Sequence, residues 1–288
     1  MRSSTILHKL NNLYLWARFW NHRRKVRRNE LAKAKTQNSN KNRLCVLGTA
    51  KNEALNLAEW VEHYAQQGAD KVFLIDNGST DNSMEVISSF LSSGFVEVVS
   101  LPQKHKQVAH YWKAFQKFQV PQLFEWMLVA DVDEFWFCKD GAKLVDALEQ
   151  FDDVDVVYAN WTVFGTSGHK EHPNSLRKNL VKRKPGLSPH KWRKYLVRTS
   201  VPKKLGDIGV HYVRGADSCR TISDNETFQI NHYQFQSLHY WKNVKLTRGD
   251  ADKFHQDHSR KLQHLIDFDK LCTELDTQLA DRLRSLES

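Results

Sequence analysis

The stretch LVADVDEFWF, residues 128–137, reads as a buried strand that runs into acid. Leu128, Val129 and Ala130 are apolar, and Asp131, Asp133 and Glu134 follow within four positions. Carboxylates repel one another and resist burial, so a purely structural strand has little use for three of them at its end. An Asp-x-Asp in that place suits a hard divalent cation that is itself bound to phosphate. Mg²⁺ or Mn²⁺ takes oxygen ligands, is satisfied by one or two carboxylates, and leaves positions open for a diphosphate. Alone the motif is weak, because it arises often by chance in loops. Its surroundings decide its weight.

Those surroundings alternate between strand and helix. RLCVLGTA, near residue 46, is a short apolar run bounded by polar residues, the pattern of a buried parallel strand. NEALNLAEWVEHYAQQG follows, with Ala54, Leu57, Ala58, Val61 and Ala65 on one helical face and Gly68 as its stop. KVFLID predicts a second strand, STDNSMEVISSFLSSG a second helix, and FVEVVS a third strand. Residues 105–119 predict a helix and EWMLVAD a fourth strand. This order predicts an α/β fold, a doubly wound sheet with helices on both faces. In such sheets ligands bind beyond the carboxyl ends of the strands. The polar motifs fall there: KNE after the first strand, DNGSTD after the second and DVDE after the fourth.

Beyond Phe151 the pattern loosens. VDVVYANWTVFG, WRKYLVR, IGVHYVR and FQINHY each predict a strand, residues 234–247 a helix, and the C-terminal tail a closing helix or two. Neither GxxxxGK[ST] nor GxGxxG occurs, which argues against P-loop and Rossmann cofactors. The four cysteines are scattered with no CxxC pair, which argues against a disulfide framework or a zinc knuckle.

The chain of 288 residues has a formal net charge of +10, but the charge is localised. Residues 1–43 hold twelve Lys and Arg against one acid, Glu30, leaving a nearly neutral body. A neutral body argues against nucleic acid as partner. The arm joins ILHKLNNLYLWARFW to NHRRKVRRNELAKAK. Its apolar block is shorter than the ~18 residues that span a bilayer, and its basic cluster follows the apolar block, unlike a usual signal peptide. Two readings stand: a helix packed on its own body, or an interfacial helix on an anionic membrane surface. The second is expected, and with it a cytoplasmic protein, peripheral at the inner face of the cytoplasmic membrane.

GTAKNEALNLAEWVEHYAQQGADKVFLIDNGSTDNS followed by VADVDEFWF resembles the GT-A glycosyltransferases of family 2 and, more closely, family 92. WTVFGTSGH, KYLVR before VHYV, and NHYQFQSLHYWKNVKLTRGDAD are similar to family-92 segments. The resemblance covers residues 44–252. It implies a GT-A type mixed sheet over residues 43–252, flanked by a basic helical arm (1–42) and a helical tail (253–288). It also implies a metal-dependent, inverting transfer of a hexose from a UDP-sugar to a glycan or lipid-linked acceptor of the lipopolysaccharide or capsule type, with Mn²⁺ or Mg²⁺ as cofactor.

Residue by residue, the resemblance places Ala50, Asn52 and Glu53 beside the nucleotide and Asp76 at the uracil or ribose. Asp81 either joins them or caps the second helix. Asp131 would meet the ribose or a metal-bound water, and Asp133 the cation and diphosphate. Glu134 would orient donor hydroxyls, or else form an ion pair beneath the site. His211 and His232, each on an expected late strand, are the candidate further cation ligands. Asp217 and Glu171 are the candidate bases for the acceptor hydroxyl. Lys194, Arg198 and Arg248 are candidate diphosphate partners. FGTSGH, small and rich in hydroxyls, either lets backbone approach a sugar or is an ordinary turn. Two other readings compete: a nucleotidyltransferase acting on a sugar phosphate, and a non-catalytic membrane-binding protein on a degenerate fold.

Overall fold

The computed structural model describes residues 42–247 and 260–285. The N-terminal arm and Arg248 lie outside the described residues. Strands β1 (Asn42–Ala50), β2 (Lys71–Asp76), β3 (Val96–Ser100) and β4 (Phe124–Val129) are parallel neighbours in the order β3-β2-β1-β4. Beyond β4 the sheet turns mixed. β8 (Arg193–Arg198) lies antiparallel between β4 and β6 (Val156–Val163); β10 (Phe228–His232) then runs parallel to β6, and β5 (Glu134–Cys138) closes the edge antiparallel to β10. The short β9 (Thr221–Ser223) pairs beside β6, while β7 (Lys182–Arg183) and β11 (Glu274–Leu275) form a separate ribbon. The fold is the expected α/β architecture with a mixed sheet.

Alternation along the strands builds a core on each face. Leu44, Val46, Val72, Leu74, Trp126 and Leu128 point to one side, where the 57–66 helix lays down Trp60, Val61 and Tyr64. Cys45, Leu47, Phe73, Ile75, Met127 and Val129 point to the other, against Tyr111, Ala114 and Phe115 of the 107–117 helix. A strand buried on both faces must be apolar throughout, which is why these strands read as continuous apolar runs. Gly48 in β1 is demanded by packing. A Cβ there would stand 2.6 Å from the Trp60 ring and 3.1 Å from the Ala130 carbonyl oxygen.

Several local expectations differ from the structure. The second helix is broken into Ser83–Val86 and Ser88–Ser92. IGVHYVR forms a tight turn, closed by Gly209 N–H donating to the Tyr212 carbonyl at 2.9 Å, so His211 sits on a turn and only His232 on a strand. Residues 234–247 contain a short helix, Leu238–Tyr240, that widens into a π-turn, Trp241–Lys245. EFWFC is a strand of its own, β5. These segments are short or irregular, so periodicity alone does not discriminate among strand, turn and helix.

The two tail helices, Leu262–Leu271 and Gln278–Ser285, pack on the body. Asp269 accepts from the Thr166 backbone N–H at 2.6 Å and from the Thr166 hydroxyl. A Cβ on Gly165 would lie 2.3 Å from that carboxylate. Ser167 Oγ accepts from the N–H groups of Val181 and Lys182, both at 2.9 Å. The small residues of FGTSGH therefore serve to dock the tail helix and fix the loop.

Candidate active site

The carboxyl ends of β1, β2 and β4 meet at one sheet edge, because Ala50 pairs with Asp76 and Leu47 with Val129. The loops there are tied to each other. Asn52, in the left-handed region at φ 53°, accepts from Thr80 N–H at 2.7 Å and donates its own N–H to Ser79 Oγ at 3.1 Å. Asp76 Oδ1 accepts from Ser79 N–H at 3.0 Å. Asp81 accepts from Ala54 N–H at 3.1 Å and from Ser83 N–H at 3.0 Å, so it joins the two loops. Glu53 is nearly buried, held by Asn56 Nδ2 at 2.9 Å and by the Tyr240 hydroxyl at 3.2 Å.

The question raised by the acids after β4 has a geometric answer. Residues 130–133 form the turn into β5, and Asp131 and Glu134 clasp it. Asp131 N–H donates to Glu134 Oε2 and Glu134 N–H to the Asp131 carbonyl, each at 3.0 Å. Glu134 is fully buried, and its own carbonyl accepts from Trp60 Nε1 and the Tyr64 hydroxyl. It lies under the site and has no exposed surface to offer a donor. Burial pushes its carboxyl well above the usual range against the pull of Lys194.

Asp131 and Asp133 diverge from this turn, and each meets its own lysine. Lys194 Nζ is 2.8 Å from Asp131 Oδ2 and 3.6 Å from Glu134 Oε2. Lys245 Nζ is 2.8 Å from Asp133 Oδ2, and His232 Nε2 is 3.4 Å from Asp133 Oδ1. Burial alone would raise both aspartates; the Lys194 ammonium overrides it at Asp131, and the Lys245 ammonium, with the His232 ring beside it, overrides it at Asp133. Both carboxylates are thus held ionised below their ordinary range. The repulsion that sequence predicts for crowded acids is cancelled locally.

A cavity of about 670 Å³ opens over this arrangement. Its polar wall includes Lys51, Glu53, Gln107, Asp131, Asp133, His211, His232 and Lys245. Its apolar wall includes Trp161, Trp192, Trp241 and Phe268, with the 184–189 loop. Gln107 Nε2 reaches Asp131 Oδ1 at 3.4 Å. His211 Nδ1 bonds the Arg193 carbonyl at 3.0 Å, and burial lowers its pKa to about 4, so the ring is neutral at pH 7 with Nε2 as the nitrogen left for a ligand.

Of the residues expected at the site, Glu53, Asp131, Asp133, His211 and His232 line this one cavity, with Ala50, Asn52 and Asp76 on the adjoining sheet edge. The expected bases are not brought to its wall. Asp217 is exposed and accepts from Cys219 N–H at 2.9 Å as the cap of a short 3₁₀ turn. Glu171 is 88% exposed, 3.4 Å from His239. Among the expected diphosphate partners, Lys194 is wholly buried beneath Asp131. Arg198 sits at the far end of β8, ion-paired to Glu125 and stacked over Trp126 at 4.3 Å.

Sequence reasoning missed Lys245 and Gln107. Trp241 and Lys245 are four apart and both line the cavity, a helical spacing legible in HYWKNVK. Gln107 opens the 107–117 helix and carries no sequence signal that sets it apart.

The nearly neutral α/β body carries its paired aspartates on a cavity at the carboxyl edge of the sheet, the place at which proteins of open α/β architecture take their ligands. The model of glycosyltransferase family 92 matches residues 43–269, and the chain belongs to that family. A family 92 protein of Ricinus communis is 27% identical over 206 residues, covering 69% of this chain and 36% of that protein. One of Oryza sativa subsp. japonica is 24% identical over 205 residues, 69% of this chain and 34% of that protein. The chain therefore spans about a third of the length of the curated relatives it matches. Among solved structures, S. aureus TarS (residues 1–349) is similar with TM-score 0.44 at 13% identity, over 67% of this chain and 60% of that one.

Proposed function

We propose that this protein transfers a hexose from a UDP-sugar to a glycan or lipid-linked acceptor. The observation that carries the reading is the pair Asp131 and Asp133, ionised and lysine-neutralised, on the cavity wall of a family 92 chain. The loops after β1 and β2 supply a pre-formed edge for the nucleoside, cross-linked through Asn52, Asp76 and Asp81.

The donor set fits Mn²⁺ or Mg²⁺. Two carboxylates and two imidazoles share the cavity, and His211 is neutral with its tautomer set by the Arg193 carbonyl. Among the described residues no three His, Cys, Asp or Glu side chains are grouped so that they could together hold a metal ion. Mg²⁺ and Mn²⁺ need only one or two protein carboxylates where substrate phosphate and water fill the other positions. Asp131 and Asp133 would hold the cation, and when bound it would neutralise charge on the leaving diphosphate. The chain's own part is to fix those carboxylates through Lys194, Gln107 and the clasp to Glu134, and to present the apolar wall to the acceptor.

Inversion at the anomeric carbon is proposed on the family resemblance, and proton NMR of the product anomer tests it. The arm is proposed to hold the protein at the inner face of the cytoplasmic membrane, beside a lipid-linked acceptor. The central test is a screen of nucleotide sugars with Mn²⁺ for release of nucleoside diphosphate. The reading requires one UDP-hexose to be turned over faster than the rest; a screen in which none is consumed would overturn it.

A further inference from the structure

We propose that Lys245 exchanges partners: it holds Asp133 when the site is empty and donates to the diphosphate when a nucleotide binds. This rests on the nucleotide-sugar reading and adds a residue to it. The two lysines of the site are not equivalent. Lys194 is wholly buried, bonded to Asp131 and close to Glu134, and does not reach the cavity wall. Lys245 lines the cavity, with its side chain 10% exposed and its Nζ 2.8 Å from Asp133 Oδ2. An ammonium has three donors, and Asp133 takes one of them.

Two further features support an exchange. Lys245 ends a π-turn in which Leu246 N–H donates to the Trp241 carbonyl at 3.0 Å, and such widened turns concentrate at functional sites. Asp133 has a second partner in His232, so its carboxylate is not stranded if the ammonium leaves. A flexible four-carbon stem lets Nζ move while the backbone stays in place. In the empty site Lys245 occupies the carboxylate that a cation would take. With nucleotide bound, the same charge lies beside the phosphates, where it supports loss of the leaving group.

The exchange makes two predictions of opposite sign for Lys245→Met. Without nucleotide, Mn²⁺ affinity, read from the free-Mn²⁺ EPR signal, should rise about threefold or more because a competitor for Asp133 is gone. With Mn²⁺ present, UDP affinity by calorimetry should fall about tenfold or more while uridine affinity changes less than about twofold. Lys245→Arg, which keeps the charge, should retain most of the UDP affinity and serves if the methionine variant fails to fold. A lysine that merely props Asp133 would lose Mn²⁺ and UDP affinity together, and that result would overturn the exchange. UDP and uridine weakened equally would also overturn it. Wild-type protein that binds no UDP would instead overturn the donor reading, and the role of Lys245 with it.

Discussion

Lys194 and Glu134 are both wholly buried with Nζ and Oε2 3.6 Å apart, and the pair forms the floor on which Asp131 stands. One buried ammonium thus serves two carboxyls, one of which burial pushes towards its neutral form. Removing the ammonium leaves Asp131 and Glu134 without their counter-charge. Lys194→Met should therefore destabilise the fold by about 3 kcal/mol or more in urea denaturation. Adding Glu134→Gln should restore part of that loss. Equal stability of Lys194→Met and wild type would show that the pair contributes little.

Asp133→Ala should remove turnover, and it should also destabilise the protein. Crowded carboxylates repel one another, so removing one would be expected to relieve strain, but Asp133 is the partner of Lys245 and His232. Its loss leaves an ammonium in a mostly buried place, at about 2–4 kcal/mol after allowing for water in the cavity. Turnover and urea midpoints on the same preparation measure both effects. A variant as stable as wild type would mean that Lys245 readily finds another partner.

UDP binding should depend on divalent cation. Calorimetry should show UDP binding tightened by either Mn²⁺ or Mg²⁺, with EDTA reversing the effect, because the cation would link the Asp131 and Asp133 carboxylates to phosphate. Equal affinity in all three conditions would remove the cation from the mechanism.

His63 should give the fold a pH dependence independent of the site. It is buried against Arg177, with Nε2 2.7 Å from the Trp136 carbonyl, and burial together with the Arg177 charge lowers its pKa from 6.5 to about 3. The unfolded chain takes up a proton below pH 6.5 that the folded chain refuses. The contribution is therefore fully present above pH 6.5 and lost as pH falls towards 3, with a slope of about 1.4 kcal/mol per pH unit. His63→Gln should flatten the stability profile in that window when both proteins are titrated with urea. Parallel profiles would show that His63 protonates without unfolding.

The arm should bind anionic membrane. Because β1 begins at Asn42, a deletion of residues 1–41 spares the sheet. It should leave activity on a soluble acceptor analogue unchanged while weakening sedimentation with phosphatidylserine vesicles, each engaged basic residue being worth about 1 kcal/mol. Undiminished sedimentation of the truncated protein would assign the arm another role.

The amino-acid sequence by itself determined the parallel half of this protein. β1, β2 and β4 are buried on both faces, so their apolar runs stand out, and the polar loops that end them mark the edge at which open α/β sheets take ligands. Asp131 and Asp133 were legible for that reason: carboxylates have no structural motive to follow such a strand. Only the tertiary structure decided what stabilises them. Lys194 and Lys245 come from positions 63 and 112 residues beyond their partners, and no local pattern encodes which lysine will meet which acid. The same holds for Asp217 and Glu171, which are exposed and do not line the cavity, and for Glu134, which packing turned inward. Burial and periodicity are properties of neighbouring residues and can be read along the chain; charge pairing across the sheet is decided by how the strands are ordered, and that order exists only in the folded protein.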